Sequence, residues 1–489
     1  MSEEQGAISR GNAERGLRGP QTPAAQNGRQ LLSATERAAR GKAARKQAPR
    51  STHGQWEPSI GRADPIELLE RQEETRVAEL IPIRHGRMLT SPFSYLRGAA
   101  LSMACDLART PVSGLDVQLC GDAHLSNFGI FGSPERHLVF DINDFDETSR
   151  GPWEWDVKRL ATSLEVAGRE NEFTTRDRCR IVRAAVRSYR ETMRELSSMS
   201  MLDVWYQHLD VDQLAPRFKS LLDRKKTPSV WRAIANARAH DHLQAFEKLA
   251  SVVDGECRIV SDPPLIVPVE EFVAGVEPRV VGEALQALIA SYRRTLLPNQ
   301  QHLLEQYRLA HLARKVVGVG SVGTEAWIVL LLDGRGSPLL LQVKQAEASV
   351  LEEFASESEF PHHGERVVAG QRLIQEASDI FLGWEQLEWE GRQLDVYVRQ
   401  LKDWKGSADV AGMTVAGMAL WAQMCGWTLA RAHARTGDRI AIASYLGRSD
   451  AFDRAICEFA VTYADQNERD HRTLVDAVAS GRLTAQTGA

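Results

Sequence analysis

The 489-residue chain is long enough for two or three domains, and its 43% hydrophobic content can fill more than one buried core. A net charge of −5 and a pI near 6.3 argue against a nucleic-acid binder that works through bulk charge, leaving room only for a local basic patch. The six cysteines are scattered without a Cys-x-x-Cys pair, which argues against a zinc site or disulfide framework and for reduced thiols in a cytoplasmic protein.

Charged and polar residues occupy the N-terminus where a signal peptide needs an apolar stretch, and no later run is long enough to cross a bilayer, so no membrane contact is expected. Residues 1–60 combine low hydrophobicity, no periodicity and a basic cluster from Arg37 to Arg50, which predicts a disordered basic tail. The alternative is that Arg45 to His53 folds back onto an acidic or phosphate-bearing surface. From Asp64 the pattern turns globular. Pro65 to Leu80 reads as a helix, as does Phe93 to Arg109, stopped by Pro111 and Gly114. Val117 to Cys120 reads as a short strand entering the motif Gly121-Asp122-Ala123-His124-Leu125-Ser126-Asn127, and His137 to Ile142 as a strand entering Asp141-Ile142-Asn143-Asp144-Phe145-Asp146-Glu147. Trp153 to Glu170 is a helix carrying Asp156. Residues 174 to 315 read as mostly helical, capped by Thr174 or Thr175, with a hairpin near Asp254-Gly255. Lys315 to Val319, Glu325 to Leu332 and Leu339 to Val343 then form an antiparallel three-strand unit, with Asp333-Gly334-Arg335-Gly336 as a hairpin turn. A helix from Gly364 to Ser378, strands at Ile380 to Trp389 and Gln393 to Gln400, and helices from Ala411 to Arg435 and Asp450 to Ala479 complete the chain.

The order of the chemistry-bearing motifs is the clue to function. An Asp followed by an Asn with four residues between, then a second Asp after an apolar strand, suits phosphoryl transfer from a nucleotide: Asp122 takes the acceptor's proton, while Asn127 and Asp144 hold Mg²⁺ against the phosphates. Asp141 and Asp146 are alternative ligands. Gly318-Val319-Gly320-Ser321-Val322-Gly323 is followed by a strand rather than a helix, which favours a phosphate-covering flap over a dinucleotide fingerprint. Lys344, at the end of the third strand, needs anionic partners if buried. Phosphate oxygens and Glu365 are the expected ones, with Glu352 and Glu353 in reserve. Asp156 is expected to hold the first acidic loop by hydrogen bonds, and His124 either to bond that loop or to meet phosphate.

Cys120-Gly-Asp-Ala-His-Leu-Ser-Asn127 resembles the His-Gly-Asp-x-His-x-x-Asn loop of aminoglycoside phosphotransferases and choline kinases, Asn143-Asp144-Phe145-Asp146 resembles their metal motif, and Asp156 matches their later aspartate. Ser91-Pro-Phe-Ser-Tyr-Leu-Arg-Gly98, Ser378-Asp-Ile-Phe-Leu-Gly-Trp384 and Tyr463-Ala-Asp-Gln-Asn-Glu-Arg-Asp-His471 resemble the bacterial family known as domain of unknown function family 2252. That resemblance implies membership of the protein-kinase-like superfamily and names no substrate. Cys120 replaces the usual His, and the glycine loop and lysine come after the acidic motifs instead of preceding them.

The resulting expectation is an α+β, helix-rich, protein-kinase-like two-lobed fold with circularly permuted lobe order. Catalytic-loop and metal-binding residues occupy 61–175, a helical region 176–310, an antiparallel nucleotide-binding lobe 311–405, and closing helices 406–489. The expected activity is ATP- and Mg²⁺-dependent phosphotransfer, with Asp122 catalytic, Asn127 and Asp144 on metal, and Gly318, Gly320, Gly323, Lys344 and Glu365 at the cofactor. The acceptor and the oligomeric state stay open, a small molecule being favoured over a protein as acceptor. AMP transfer or non-catalytic nucleotide binding are the alternatives. A two-metal phosphoesterase would need further His and Asp clusters that the chain lacks.

Overall fold

A computed structural model of the chain describes residues 32–488, except 212–224, 226, 240–241, 254, 273–277, 317, 390, 402–405 and 408. The strands, in chain order, are β1 (Asp116–Leu119), β2 (Phe128–Gly132), β3 (Leu138–Ile142), β4 (Ser149–Pro152), β5 (Ala250–Val253), β6 (Glu256–Ile259), β7 (Ile266–Pro268), β8 (Tyr307–Lys315), β9 (Ala326–Asp333), β10 (Pro338–Gln345), β11 (Gly383–Trp389), β12 (Arg392–Gln400) and β13 (Gly406–Ser407). Their arrangement is mixed α+β.

Six of these strands form one antiparallel sheet in the order β11-β12-β10-β9-β8-β7. The unbroken apolar run of β9 reflects burial on both faces. Trp327, Val329 and Leu331 join a cluster with Tyr292, Leu341 and Val396, while Ile328, Leu330 and Leu332 join one with Ala313 and Ile259. The first strand of the expected three-strand unit lies earlier than its apolar residues indicated: Tyr307–Lys315 pairs with β9, and the glycine turn lies between Lys315 and that strand. Asp333 closes the β9–β10 hairpin by accepting the amides of Arg335 and Ser337 on its side chain.

The helix Trp153–Glu170 is buried along nearly its whole length against the helices Thr175–Ser197, Val415–Thr436 and Ala451–Ala479. The short strands β1 to β4 emerge from this helical body and carry the acidic loops. Thr174 is the cap of its helix, its hydroxyl accepting the Asp177 amide. The helix expected over Phe93 to Arg109 is two helices, Pro92–Gly98 and Ala100–Leu107, broken at Ala99. No helix among the described residues is long and apolar enough to cross a membrane.

The expected disordered tail is corrected in part. Residues 1–31 lie outside the described ones, but Ala34–Gln47 is a helix started by a Ser33/Glu36 capping box. Its charged composition concealed a small-residue face: Gly41 and Ala44 are buried, and Gly41 lies against the carbonyl of Ala441 on the helix Arg439–Leu446. Arg45 donates from Nε to the Tyr445 carbonyl (2.7 Å) and also to Ser444, and Arg50 donates to Leu446. These cations therefore cap the C-terminal end of a helix, where the unpaired carbonyls and the dipole favour positive charge.

A Cβ at position 41 would overlap the Ala441 carbonyl. Gly41→Val should lower stability by about 1–3 kcal/mol, the usual cost of overpacking, and open residues 32–60 to limited proteolysis. An unchanged melting midpoint with unchanged protection would show that this helix is not part of the cooperative fold.

Candidate functional site

The first acidic loop is held from below by one carboxylate. Asp156, buried in the first turn of its helix, accepts the amides of Cys120 (2.9 Å) and Gly121 (3.1 Å), and His433 Nε2 stands 3.1 Å from the same group. Tyr189 in turn meets His433 Nδ1 at 2.9 Å. Gly121 has φ +88° and lies against the Glu147 carbonyl, a left-handed close approach that any side chain would block. The two acidic loops are also tied by the Asn143 amide donating to the Asn127 carbonyl at 2.7 Å.

Asp122 accepts from Arg159 Nε (2.8 Å) and is in ion-pair contact with its Nη2 (2.7 Å), which donates to the Leu96 carbonyl. His124 Nε2 lies 3.5 Å from Asp122, but burial drives that imidazole down to about 3 despite the carboxylate, so it is neutral at ordinary pH. Asn127 donates its Nδ2 to the Asp122 carbonyl (2.8 Å), which leaves its Oδ1 as a hard oxygen for a cation. Asp144 lies on the loop after β3.

Asp146 is the junction of the site. Its Oδ2 accepts Lys344 Nζ at 2.5 Å and Ser321 Oγ at 3.1 Å, and its Oδ1 accepts the Tyr397 hydroxyl at 2.6 Å. One carboxylate thus joins the acidic loop, the glycine turn, β10 and β12. Burial alone would push Lys344 down, but the charges of Asp144 and Asp146 hold it above its ordinary range, so it stays an ammonium.

Glu365 is corrected as the partner of Lys344: among the described residues the carboxylate bonded to that lysine is Asp146. The helix His363–Ile374 starts so that Glu365 falls in its first turn, donating its amide to His362, while Arg366 reaches the acidic loop. Arg366 donates to the carbonyls of Asp146 (2.8 Å) and Glu347 (2.7 Å). The reserves are engaged elsewhere, Glu352 near Arg366 and Glu353 with Arg71. Asp141 is buried against Arg431 at 2.7 and 2.8 Å, which removes it as an alternative cleft ligand.

A cleft of about 610 Å³ is bordered by Asp122, Asn127, Asp144, Asp146, Gly318 and Gly320. Gly323 is not on its wall; this residue packs on the Arg76 side chain and its carbonyl accepts the Val77 amide. Lys344 stands behind Asp146. Among the described residues no group of three or more His, Cys, Asp or Glu side chains could hold a metal ion. Asn127 and Asp144 nevertheless offer the one or two oxygens that a phosphate-bound Mg²⁺ takes from protein.

A family model described as an uncharacterized protein conserved in bacteria, DUF2252, matches residues 76–477. The chain belongs to that family. No curated protein and no solved structure matches it. The match to DUF2252 includes both acidic loops, the glycine turn and the lysine strand, and leaves out the helix Ala34–Gln47.

Several residues on the cleft wall, and Arg159 behind Asp122, carry little signal in the sequence. Arg159 lies three positions after Asp156, a same-face helical spacing that could have flagged it. Arg76 carries no local signal, and Arg97 none beyond its place in the stretch Ser91 to Gly98. Glu147 closes the second acidic cluster; burial raises it to about 7, against the Val350 amide that its Oε2 accepts at 2.8 Å.

A carboxyl raised in the folded state stabilises below its unfolded value and loses that contribution as pH rises through the folded one. Glu147→Gln should therefore flatten the fall in melting temperature between pH 4.5 and about 7. An identical slope in wild type and variant would show that Glu147 does not titrate in that window.

Proposed function

We propose that the chain is an ATP- and Mg²⁺-dependent phosphotransferase of the protein-kinase-like type, with the sheet-bearing lobe placed after the acidic loops in sequence. The observation that carries this reading is the Asp146 junction: a lysine on β10, the turn between β8 and β9, and the acidic loop meet at one carboxylate. A glycine turn over phosphates, a strand lysine and a helix after that strand are the parts that phosphoryl transfer uses for positioning and charge neutralisation. Here β8 and β9 flank the turn, β10 bears Lys344, and His363–Ile374 comes next.

In this reading Asn127 and Asp144 would hold Mg²⁺, which when bound would supply neutralisation of phosphate charge. Gly318 and Gly320 let backbone approach the nucleotide, Lys344 supplies charge from behind Asp146, and Gly323 shapes the turn. Asp122 orients the acceptor hydroxyl and takes its proton. Arg159 restrains the Asp122 carboxylate, so a binding-only nucleotide protein is the second reading, and AMP transfer would use the same nucleotide site.

Mg²⁺-dependent ATP binding should be seen by titration calorimetry and lost in Asp144→Asn. Binding that survives the substitution unchanged moves the metal from Asp144.

Asp122→Asn should leave ATP affinity nearly intact while lowering turnover by ~10²–10⁴, measured as phosphorylated product from a metabolite mixture. Equal loss of binding and turnover would make Asp122 a structural or metal-binding residue.

A further inference from the structure

Most charges around the cleft are already matched. Lys344 is bonded to Asp146, Arg159 to Asp122, and Arg71 to Glu353. Arg97 is different. Its Nε is buried without a hydrogen-bond partner among the described residues, its guanidinium has no carboxylate within ion-pair distance there, and the negative charges acting on it are those of Asp122 and Asp144. Arg76, also on the cleft wall, donates from Nε to the Gln72 carbonyl and from Nη1 to that of Val322, which leaves its Nη2 donors for a ligand.

These two arginines bracket the glycine turn. Arg76 packs against Gly323, and a Cβ on Gly320 would come to 3.0 Å from the Arg97 carbonyl. Arg87 donates to the Gly318 carbonyl at 2.6 Å. The backbone of Arg97 is fixed in turn, since the adjoining Gly98 carbonyl accepts from buried Arg84 at 3.0 Å. A cation with its donors unspent, on a fixed backbone, on the same cleft wall as Asp122 and Asp144 and beside the glycine turn, is arranged for an anionic ligand.

We propose that Arg97, with Arg76 across the turn, forms an anion-recognising pair in the cleft and that Arg97 takes the terminal phosphate of a bound polyphosphate chain. This rests on the nucleotide reading of the same cleft. It adds a phosphate contact from the helix Pro92–Gly98, outside both the acidic loops and the sheet. Its planar fork can grip two phosphate oxygens, which a single lysine ammonium cannot do with the same geometry.

The test is calorimetric titration of the full chain with Mg·ATP, Mg·ADP and inorganic tripolyphosphate, comparing wild type, Arg97→Met and Arg97→Lys, each with its melting midpoint. Loss of a charge-assisted phosphate contact should weaken ATP and tripolyphosphate by about 10- to 100-fold in Arg97→Met while leaving ADP within about threefold, with partial recovery in Arg97→Lys. ATP affinity unchanged in Arg97→Met, or ATP and ADP weakened equally, overturns the assignment while leaving the nucleotide reading in place. If Arg97→Met fails to fold, Arg97→Lys decides by the same ATP-to-ADP ratio, equality with wild type overturning the proposal. Wild type that binds tripolyphosphate through Arg97 but no nucleotide keeps the anion pair and removes the nucleotide reading; wild type that binds none of the three removes both.

Discussion

The site depends on an ion pair between a buried lysine and a carboxylate at the cleft wall. Lys344 and Asp146 meet at 2.5 Å with the lysine almost wholly withdrawn from water. Taking a charge out of water, as for Lys344, costs several kcal/mol, and attraction to its partner offsets that only when the remaining donors and acceptors are satisfied. The surroundings meet that condition: Tyr397 and Ser321 donate to the same carboxylate, and Arg366 ties down the backbone carbonyl of Asp146. The pair is better understood as a device for register than as a source of net stability. It fixes where the sheet sits relative to the acidic loops, and it fails if the sheet slides against them.

Much of the architecture could be read from local pattern. Trp153–Glu170 has the expected boundaries because Pro152 precedes it and apolar residues recur at helical spacing up to the turn after it. Both acidic loops come after strands, and the lysine lies near the end of the third strand of an antiparallel unit. Pairings between distant residues were not readable. Glu365 was favoured because a helix after a lysine strand suggests a carboxylate from that helix, yet an acid 198 residues upstream takes the lysine. The strand Tyr307–Lys315 mixes basic and apolar residues because one end is only partly covered, which hid it behind the more hydrophobic stretch after it.

The helix at Ala34–Gln47 shows a second limit. Average hydropathy is blind to a helix that docks through glycine and alanine, because close backbone approach rather than large apolar side chains makes the contact. Arg45 on this helix and Arg50 just after it then complete hydrogen bonds that the neighbouring helix cannot make for itself. Part of the basic cluster is thus spent within the chain, Arg37 on Asp438 and Arg45 and Arg50 on helix carbonyls, while Arg40, Lys42 and Lys46 face solvent.

The spacing of these long-range pairs sets a schedule for synthesis. Asp156 is translated 277 residues before His433 supports it, and Asp146 nearly two hundred before Lys344. The acidic loops therefore leave the ribosome with their charges unmatched and wait for most of the chain before the cleft can close around them. Closing long loops is entropically slow, and half-made cores expose apolar surface meanwhile. In this chain a ribosome that stops early releases a product without the helices Val415–Thr436 and Ala451–Ala479 that cover Trp153–Glu170, and only a nearly full-length product can carry the site.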